Sequence, residues 1–198
     1  MTSTNAFNIL PEEFYARPTL ELARNLVGKI LAKVTDEGVT SGIIVETEAY
    51  LGAEDQAAHS YRNRRTKRTD IMFGKPGHVY TYTMHTHCLV NVVSAAEGIP
   101  QAVLIRAVEP YSGVELMLER RPVDKRVNLT NGPGKLTKAL GINMGDYGRP
   151  FFEPPLFIAE GFQAENIAVG PRIGIGNAGE AKHYPYRFWI ADNPFRSR

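Results

Sequence analysis

The stretch Gly42-Ile43-Ile44-Val45-Glu46-Thr47-Glu48-Ala49-Tyr50 decides how this chain is read. It opens on an aliphatic run of the kind that fills a central strand, then alternates. Successive side chains of a strand point to opposite faces, so Glu46, Glu48 and Tyr50 share one face and Val45, Thr47 and Ala49 the other. By composition alone, two carboxylates and a ring on one face are more often a solvent face than a site. Two features weigh the other way. The preceding apolar run belongs in a sheet interior, and the segment runs directly into residues 52–70, a polar, aliphatic-poor stretch that holds His59 and a crowd of cations. A loop of that length inside a compact domain is often functional.

Working outward, Thr19 is placed to cap a short helix with Leu20, Ala23, Leu26 and Val27 on one face, and Gly28 to stop it. Ile30, Ala32 and Val34 alternate with Leu31 and Lys33 as a strand, and Thr35-Asp36-Glu37-Gly38 turns it back. Further on, residues 79–83 and 88–93 have strand composition with a hairpin tip at 84–87, and 102–107 is another strand. Residues 113–121 and 135–140 read as helices, and 157–159, 172–175 and 186–191 as late strands. This order predicts an α+β fold with a largely antiparallel sheet, not alternating βαβ units. A length of 198 residues, 43% of them hydrophobic, suits a single domain over 1–198 with its own core. Eighteen glycines and 13 prolines exclude a helical bundle.

The net charge of +2 says little about nucleic acid. Its distribution says more: Arg62, Arg64, Arg65, Lys67 and Arg68 crowd into one short stretch, and Arg120, Arg121, Lys125 and Arg126 form a second. Such runs are as often solvated surface, and become phosphate-contact candidates only with an independent pointer to DNA. The single cysteine, Cys88, excludes an internal disulfide and a Cys-based zinc site, and fits a reducing compartment. The first residues lack a basic and apolar leader, and no window is long enough to span a bilayer. A soluble protein with no membrane partner is expected, cytoplasmic with the nucleoid or nuclear.

Three weaker patterns are declined. Gly174-Ile175-Gly176-Asn177-Ala178-Gly179 matches G-x-G-x-x-G, but too little sequence follows for the βαβ unit that motif serves, and a turn allowing close backbone approach is the better reading. Gly132-Pro133-Gly134-Lys135 resembles a P-loop, but leucines 129 and 136 replace the first glycine and the metal-binding hydroxyl. A plain helix start is the commoner reading there, although its backbone N–H groups can still hold a phosphate. His59, His78, His85, His87 and His183 show no zinc spacing, and His85 and His87 would have to face one way at a hairpin tip, so neither metal nor cofactor is expected.

In order along the chain, Ile44-Val45-Glu46-Thr47-Glu48-Ala49-Tyr50-Leu51-Gly52, Glu54-Asp55, Ala57-Ala58-His59-Ser60, Met72-Phe73, Lys75-Pro76-Gly77, Val79-Tyr80-Thr81-Tyr82, Asn91, Leu104-Ile105-Arg106-Ala107, Gly132-Pro133 with Lys135-Leu136, and Arg172-Ile173-Gly174-Ile175-Gly176 with Ala178-Gly179-Glu180 closely resemble the 3-methyladenine DNA glycosylases of the alkyladenine glycosylase family. The resemblance covers nearly the whole chain. It implies one compact α+β domain around a curved antiparallel sheet, with a β-hairpin that protrudes into the DNA minor groove. It implies Glu48 as general base, Tyr50, His59 and Tyr82 as rings that sandwich a flipped base, and Asn91 and Arg106 as pocket lining, the arginine also holding the attacking water. Such an enzyme is monofunctional: water attacks, an abasic site remains, and the strand is not cut. The implied partner is double-stranded DNA with alkylated purines, deaminated and etheno purines being further substrates, and the protein is expected to act as a monomer.

With DNA in view, Arg62, Arg64, Arg65, Lys67, Arg68 and Lys135 become backbone contacts. One departure stands out. Relatives can carry a tyrosine at the hairpin tip that fills the gap left by the flipped base, whereas Thr83-Met84-His85-Thr86-His87 is one residue shorter. The wedge therefore falls to Met84 or His85, with His85 preferred. Two rival readings are a non-catalytic binder of damaged DNA, which needs the rings but not Glu48, and a metal-dependent hydrolase built on Glu46, Glu48, His85 and His87.

Overall fold

A computed structural model describes residues 6–197, so the leader reading of residues 1–5 lies outside the described part. The decisive segment is the second half of a long strand, β2 (Gly38–Tyr50), that organises everything else. Before it come α1 (Thr19–Leu26) and β1 (Ile30–Thr35). After it come β3 (Val79–Met84), β4 (His87–Ser94), β5 (Gln101–Ser112), α2 (Val114–Arg120), α3 (Pro133–Leu140), β6 (Leu156–Ala159), β7 (Ile167–Gly170) and β8 (Arg187–Ile190). The fold is α+β. Its antiparallel sheet runs β3-β4-β5-β2-β1-β6, with β8 also on β2 and β7 on β8.

β2 serves three neighbours. Along one edge it pairs β5; along the other it pairs β1 over residues 38–43 and then β8 over 46–48. A strand that changes partner and carries bulges twists strongly, which curls the sheet. Alternation then sorts the side chains. Ala49, Val92, Val103 and Ile105 join Leu22, Ala23 and Leu26 of α1 and Leu136 and Leu140 of α3 in the main core. Tyr80, Tyr82, Ala102 and Leu104 form a second, aromatic-rich cluster against which Tyr50 packs. The face that carries Glu46 and Glu48 is thus not solvated: both residues, like Val45, Thr47 and Ala49, are fully buried.

Several expectations change in detail. Thr19 is not the cap of α1; Pro18 holds that position, and the Thr19 hydroxyl instead lies 2.8 Å from Ser94 Oγ and donates to Gln101 Oε1 at 2.5 Å. Residues 172–175 form no strand. The strand lies earlier, at β7, and the Ile173 N–H goes to a carboxylate in place of a neighbouring strand. Met84 and His87 close the β3–β4 hairpin as a pair, leaving His85 and Thr86 as the turn. His85 takes φ 54°, the left-handed conformation that tight hairpins ask of their first turn residue. Residues 52–70 hold only short 3-10 turns, as the composition predicts. Among the described residues no helix is long and apolar enough to cross a membrane.

On β1, flanked by β2 and the edge strand β6, Lys33 donates to Asp146, both side chains being almost fully buried (8% and 3% exposed). The other Asp146 oxygen accepts the Asn143 N–H at 3.1 Å. Removing one partner of a buried pair strands the other charge. Asp146→Ala is therefore expected to lower unfolding free energy by about 3–5 kcal/mol in urea titration, with Lys33→Met added to it restoring much of the loss. A single-mutant loss below about 1 kcal/mol would show the pair to be solvated.

Candidate active site

Two adjacent irregularities in the β2–β5 pairing build the site. Ile44 pairs Val108, Glu46 pairs Ala107 and Thr47 pairs Ile105, so Val45 and Arg106 are passed over. Bulges re-aim side chains, and this one turns Arg106 onto the glutamate face of β2. Its Nη1 lies 3.4 Å from Glu48 Oε1 and its Nε 3.5 Å from Glu46 Oε1, while Nε also donates to Ser197 Oγ at 3.1 Å. Glu46 accepts from Arg187 Nη1 at 3.0 Å, from the Ser197 N–H at 2.6 Å and from Ser197 Oγ at 2.9 Å. Two carboxylates thus face two guanidinium groups, a neutral set, as burial away from water demands.

Glu48 has both oxygens held. Ile173 N–H donates to Oε1 at 2.7 Å, and the Tyr50 hydroxyl donates to Oε2 at 2.8 Å. Burial pushes the Glu48 carboxyl above the ordinary glutamate range; Arg106, the Ile173 N–H and the Tyr50 hydroxyl pull it back, and Glu46 adds to the rise. Burial and the neighbouring Glu48 also push the Tyr50 hydroxyl well up, so it remains a donor. An ionised carboxylate offers roughly four lone-pair sites, which leaves Glu48 capacity for a water molecule.

Beside this pair opens a cavity of about 340 Å³, within the range of small-molecule sites and suited to a flat base. Tyr50, His59, Tyr80, Tyr82, Met84 and Asn91 line it, together with residues 174–178. The His59 ring lies 4.6 Å from that of Tyr82, at 86° to it, and its Nδ1 is 2.7 Å from the Tyr80 hydroxyl. Burial, then the charges of Arg68 and Arg64, push His59 down to about 4, so its ring is neutral at pH 7. Asn91 donates to the Tyr80 carbonyl at 3.0 Å. Glu48 and Arg106 do not line the cavity; Arg106 is turned toward Glu46 and Ser197, and Tyr50 connects the cavity wall to Glu48.

The structure thus brings Glu48, Arg106, Tyr50, His59, Tyr82 and Asn91 together. Arg62, Arg64, Arg65, Lys67 and Arg68 are all exposed. Arg65 is already paired with Asp70 at 2.7 Å. Met84 (44% exposed) stands at the cavity and His85 at the tip beside it. Lys135 sits in the first turn of α3, donating to Asn131 Oδ1 at 2.7 Å. That turn abuts the tip end of the hairpin so closely that a Cβ on Gly134 would lie 2.6 Å from His87 Cβ. Sequence reading missed Ser197, Arg187 and the Ile173 N–H, none of which carries a local signal. Glu46 was visible through its alternation with Glu48. Among the described residues, no group of three or more His, Cys, Asp or Glu side chains could hold a metal ion.

A sequence profile described as methylpurine-DNA glycosylase matches residues 13–194. A protein of Oceanobacillus iheyensis is 61% identical over 198 residues, all of both chains. One from Bacillus velezensis is 63% identical over 189 residues, 96% of each chain, and one from Bacillus subtilis 60% identical over 195 residues, 98% of this chain and 100% of its own. All three are assigned, by name only, as 3-methyladenine DNA glycosylases.

The buried carboxyl has a consequence for stability. Because its folded-state pKa is raised, the folded protein holds the Glu48 proton more tightly than the unfolded chain. That contribution is complete below the unfolded value of about 4.3 and is lost as pH rises through the folded value. Glu48→Gln never ionises, so above that window its Tm should exceed that of wild type, the gap closing below about pH 4. Equal Tm values at pH 8 would mean the charge is fully compensated.

Proposed function

The chain belongs to the methylpurine-DNA glycosylase family, and we propose that it extrudes an alkylated purine from duplex DNA into the aromatic cavity and hydrolyses its N-glycosidic bond with a water deprotonated by Glu48. That it is a DNA glycosylase for methylated purines follows from the family. The observation that carries the mechanism is Tyr50: its ring walls the cavity while its hydroxyl holds the fully buried Glu48.

A base within the stack is out of reach, and flipping it out costs a few kcal/mol. Stacking on Tyr50 from one side and on His59 and Tyr82 from the other returns roughly 1–3 kcal/mol per base. Alkylation at N3 or N7 makes the purine cationic, a better partner for electron-rich rings. The neutrality of His59 matters here, since an imidazolium would repel that base. In the chemical step Glu48 takes a proton from water, the water oxygen bonds to C1′, and the C1′–N bond breaks with its electron pair leaving on the purine. The sugar passes through an oxocarbenium-like state that a carboxylate stabilises. Arg106 keeps Glu48 ionised and helps place the water. With water as the nucleophile, the product is an abasic site and the strand stays uncut. Deaminated and etheno purines carry no such charge and need more help from the site.

Arg62, Arg64, Lys67 and Arg68, with Lys135 beyond the hairpin, are assigned to phosphates, Arg65 contributing less because Asp70 compensates it. His85 at the tip, with Met84 as the other candidate, fills the gap left by the base. One domain with one cavity of this kind is sufficient as a monomer.

Two experiments test this reading. With EDTA present, wild type should free 3-methyladenine from alkylated duplex and leave an unnicked abasic site. Glu48→Gln should bind the lesion duplex yet release base about 10²–10⁴-fold more slowly. The wild-type rate should fall on the acid side as the Glu48 carboxyl, pushed above the ordinary glutamate range by burial, takes up its proton. Binding without release by both proteins would move the chain to the damage-binder reading. Separately, charge reversal of Arg64 or Arg68 should weaken lesion and undamaged duplexes alike and reduce the slope of log affinity against log salt by about 0.9 per lost contact. A loss confined to lesion duplex would contradict the phosphate role.

A further inference from the structure

We propose that Arg172 is a positioning residue that sets both hydrogen bonds to Glu48, and so determines how the general base is presented to water; this rests on the role given to Glu48 above. The Arg172 and Asp55 side chains are almost completely buried (0% and 1% exposed). Arg172 Nη1 and Nη2 grip the two Asp55 oxygens at 2.5 Å and 2.8 Å as a fork. Asp55 also accepts the Leu51 and Ala57 N–H groups, each at 3.0 Å, which fixes the turn leaving β2. Nη1 donates further to the Ala49 carbonyl at 2.8 Å, and Nη2 to that of Ala181 at 3.2 Å.

A plain structural anchor would need no more than this. Two further contacts point to the base. The guanidinium carbon lies 4.7 Å from the centroid of the Tyr50 ring, the ring whose hydroxyl holds Glu48 Oε2. The next residue along the chain is Ile173, whose N–H holds Glu48 Oε1. One side chain therefore fixes the donor to each carboxylate oxygen, one through its face and one through its own backbone. Of the three Arg172 guanidinium nitrogens, Nε alone lacks a partner. A planar, bidentate, stacked guanidinium does what an ammonium cannot, so lysine is not a conservative replacement. An ångström of displacement at such a support is enough to cost on the order of 10²-fold in rate.

The groups that face Glu48 are Glu46 and Tyr50 on β2, Arg106 on β5, Tyr82 on β3, Arg187 as its register partner on β8, and the Ile173 N–H. Arg172→Lys and Asp55→Asn leave all of these chemically intact. Both variants, in the full chain, are compared with wild type, Glu48→Gln and Lys33→Met, the last a broken buried pair on β1, away from Glu48. Single-turnover base release is followed against pH, alongside lesion-duplex affinity and Tm. Both variants should release base about 10–100-fold more slowly at pH 7. Their acid limb should move up by about one pH unit, because a carboxylate that loses donors holds its proton more tightly. Affinity should change by less than about threefold, so that the loss falls on the rate and not on binding. Lys33→Met should lower Tm and leave the limb in place. A limb at the wild-type position in both variants, rates that track Tm alone, or failure of both variants to fold would each overturn the proposal, the last by making the pair a support of the fold. If wild type releases no base, the function itself falls and this inference with it. If Glu48→Gln abolishes a limb that Arg172→Lys leaves unmoved, the inference alone falls.

Discussion

A carboxylate taken wholly out of water has to be satisfied atom by atom, and Glu48 places that constraint at the centre of this molecule. One oxygen is met by a backbone N–H from a loop 125 residues away in sequence, the other by a tyrosine two residues on, and a guanidinium stands 3.4 Å off. Each of those groups needs its own support. Arg106 reaches the site because β5 bulges; Ile173 does so because the Arg172–Asp55 pair ties its loop to the turn after β2. The bulge between β2 and β5, the pairing of β2 with β8 and the loop after β2 together keep this one group buried and satisfied.

The same arrangement separates the chemistry from recognition. The cavity is walled by neutral rings, with His59 held unprotonated by burial and by the arginines outside it. The charged set lies behind Tyr50 and away from the cavity surface. A flat cation can therefore be bound by stacking without meeting a bare arginine, while Glu48, the proposed general base, keeps its own counter-charge. In a low-dielectric site the ordering of these few charges counts for more than their number.

Much of the fold was legible because it rests on local rules. The turn at Asp36–Glu37, the hairpin from β3 to β4, the helix read at 135–140, which in fact begins at Pro133, and the long loop after Tyr50 are all visible as periodicity or turn chemistry. The failures have a common cause. Thr19 looks like a cap because its partners, Ser94 and Gln101, are distant in sequence. Residues 172–175 look like a strand because β-rich composition cannot reveal that an N–H is claimed by a carboxylate. The site divides in the same way. Alternation puts Glu46, Glu48 and Tyr50 on one face but favours a solvated one; Glu48 and Tyr50, like His59, Tyr82, Asn91 and Arg106, are singled out by family resemblance. Ser197, Arg187 and the fork of Arg172 on Asp55 are products of tertiary closure with no local mark.

The most direct test is a crystal structure of the Glu48→Gln protein bound to duplex DNA with a non-hydrolysable 3-methyladenine analogue. The account predicts the base extruded between Tyr50 and the rings of His59 and Tyr82, with a water within about 3 Å of both residue 48 and C1′ of the flipped nucleotide. A base seated in the cavity with C1′ remote from residue 48, or held elsewhere on the protein, would contradict it.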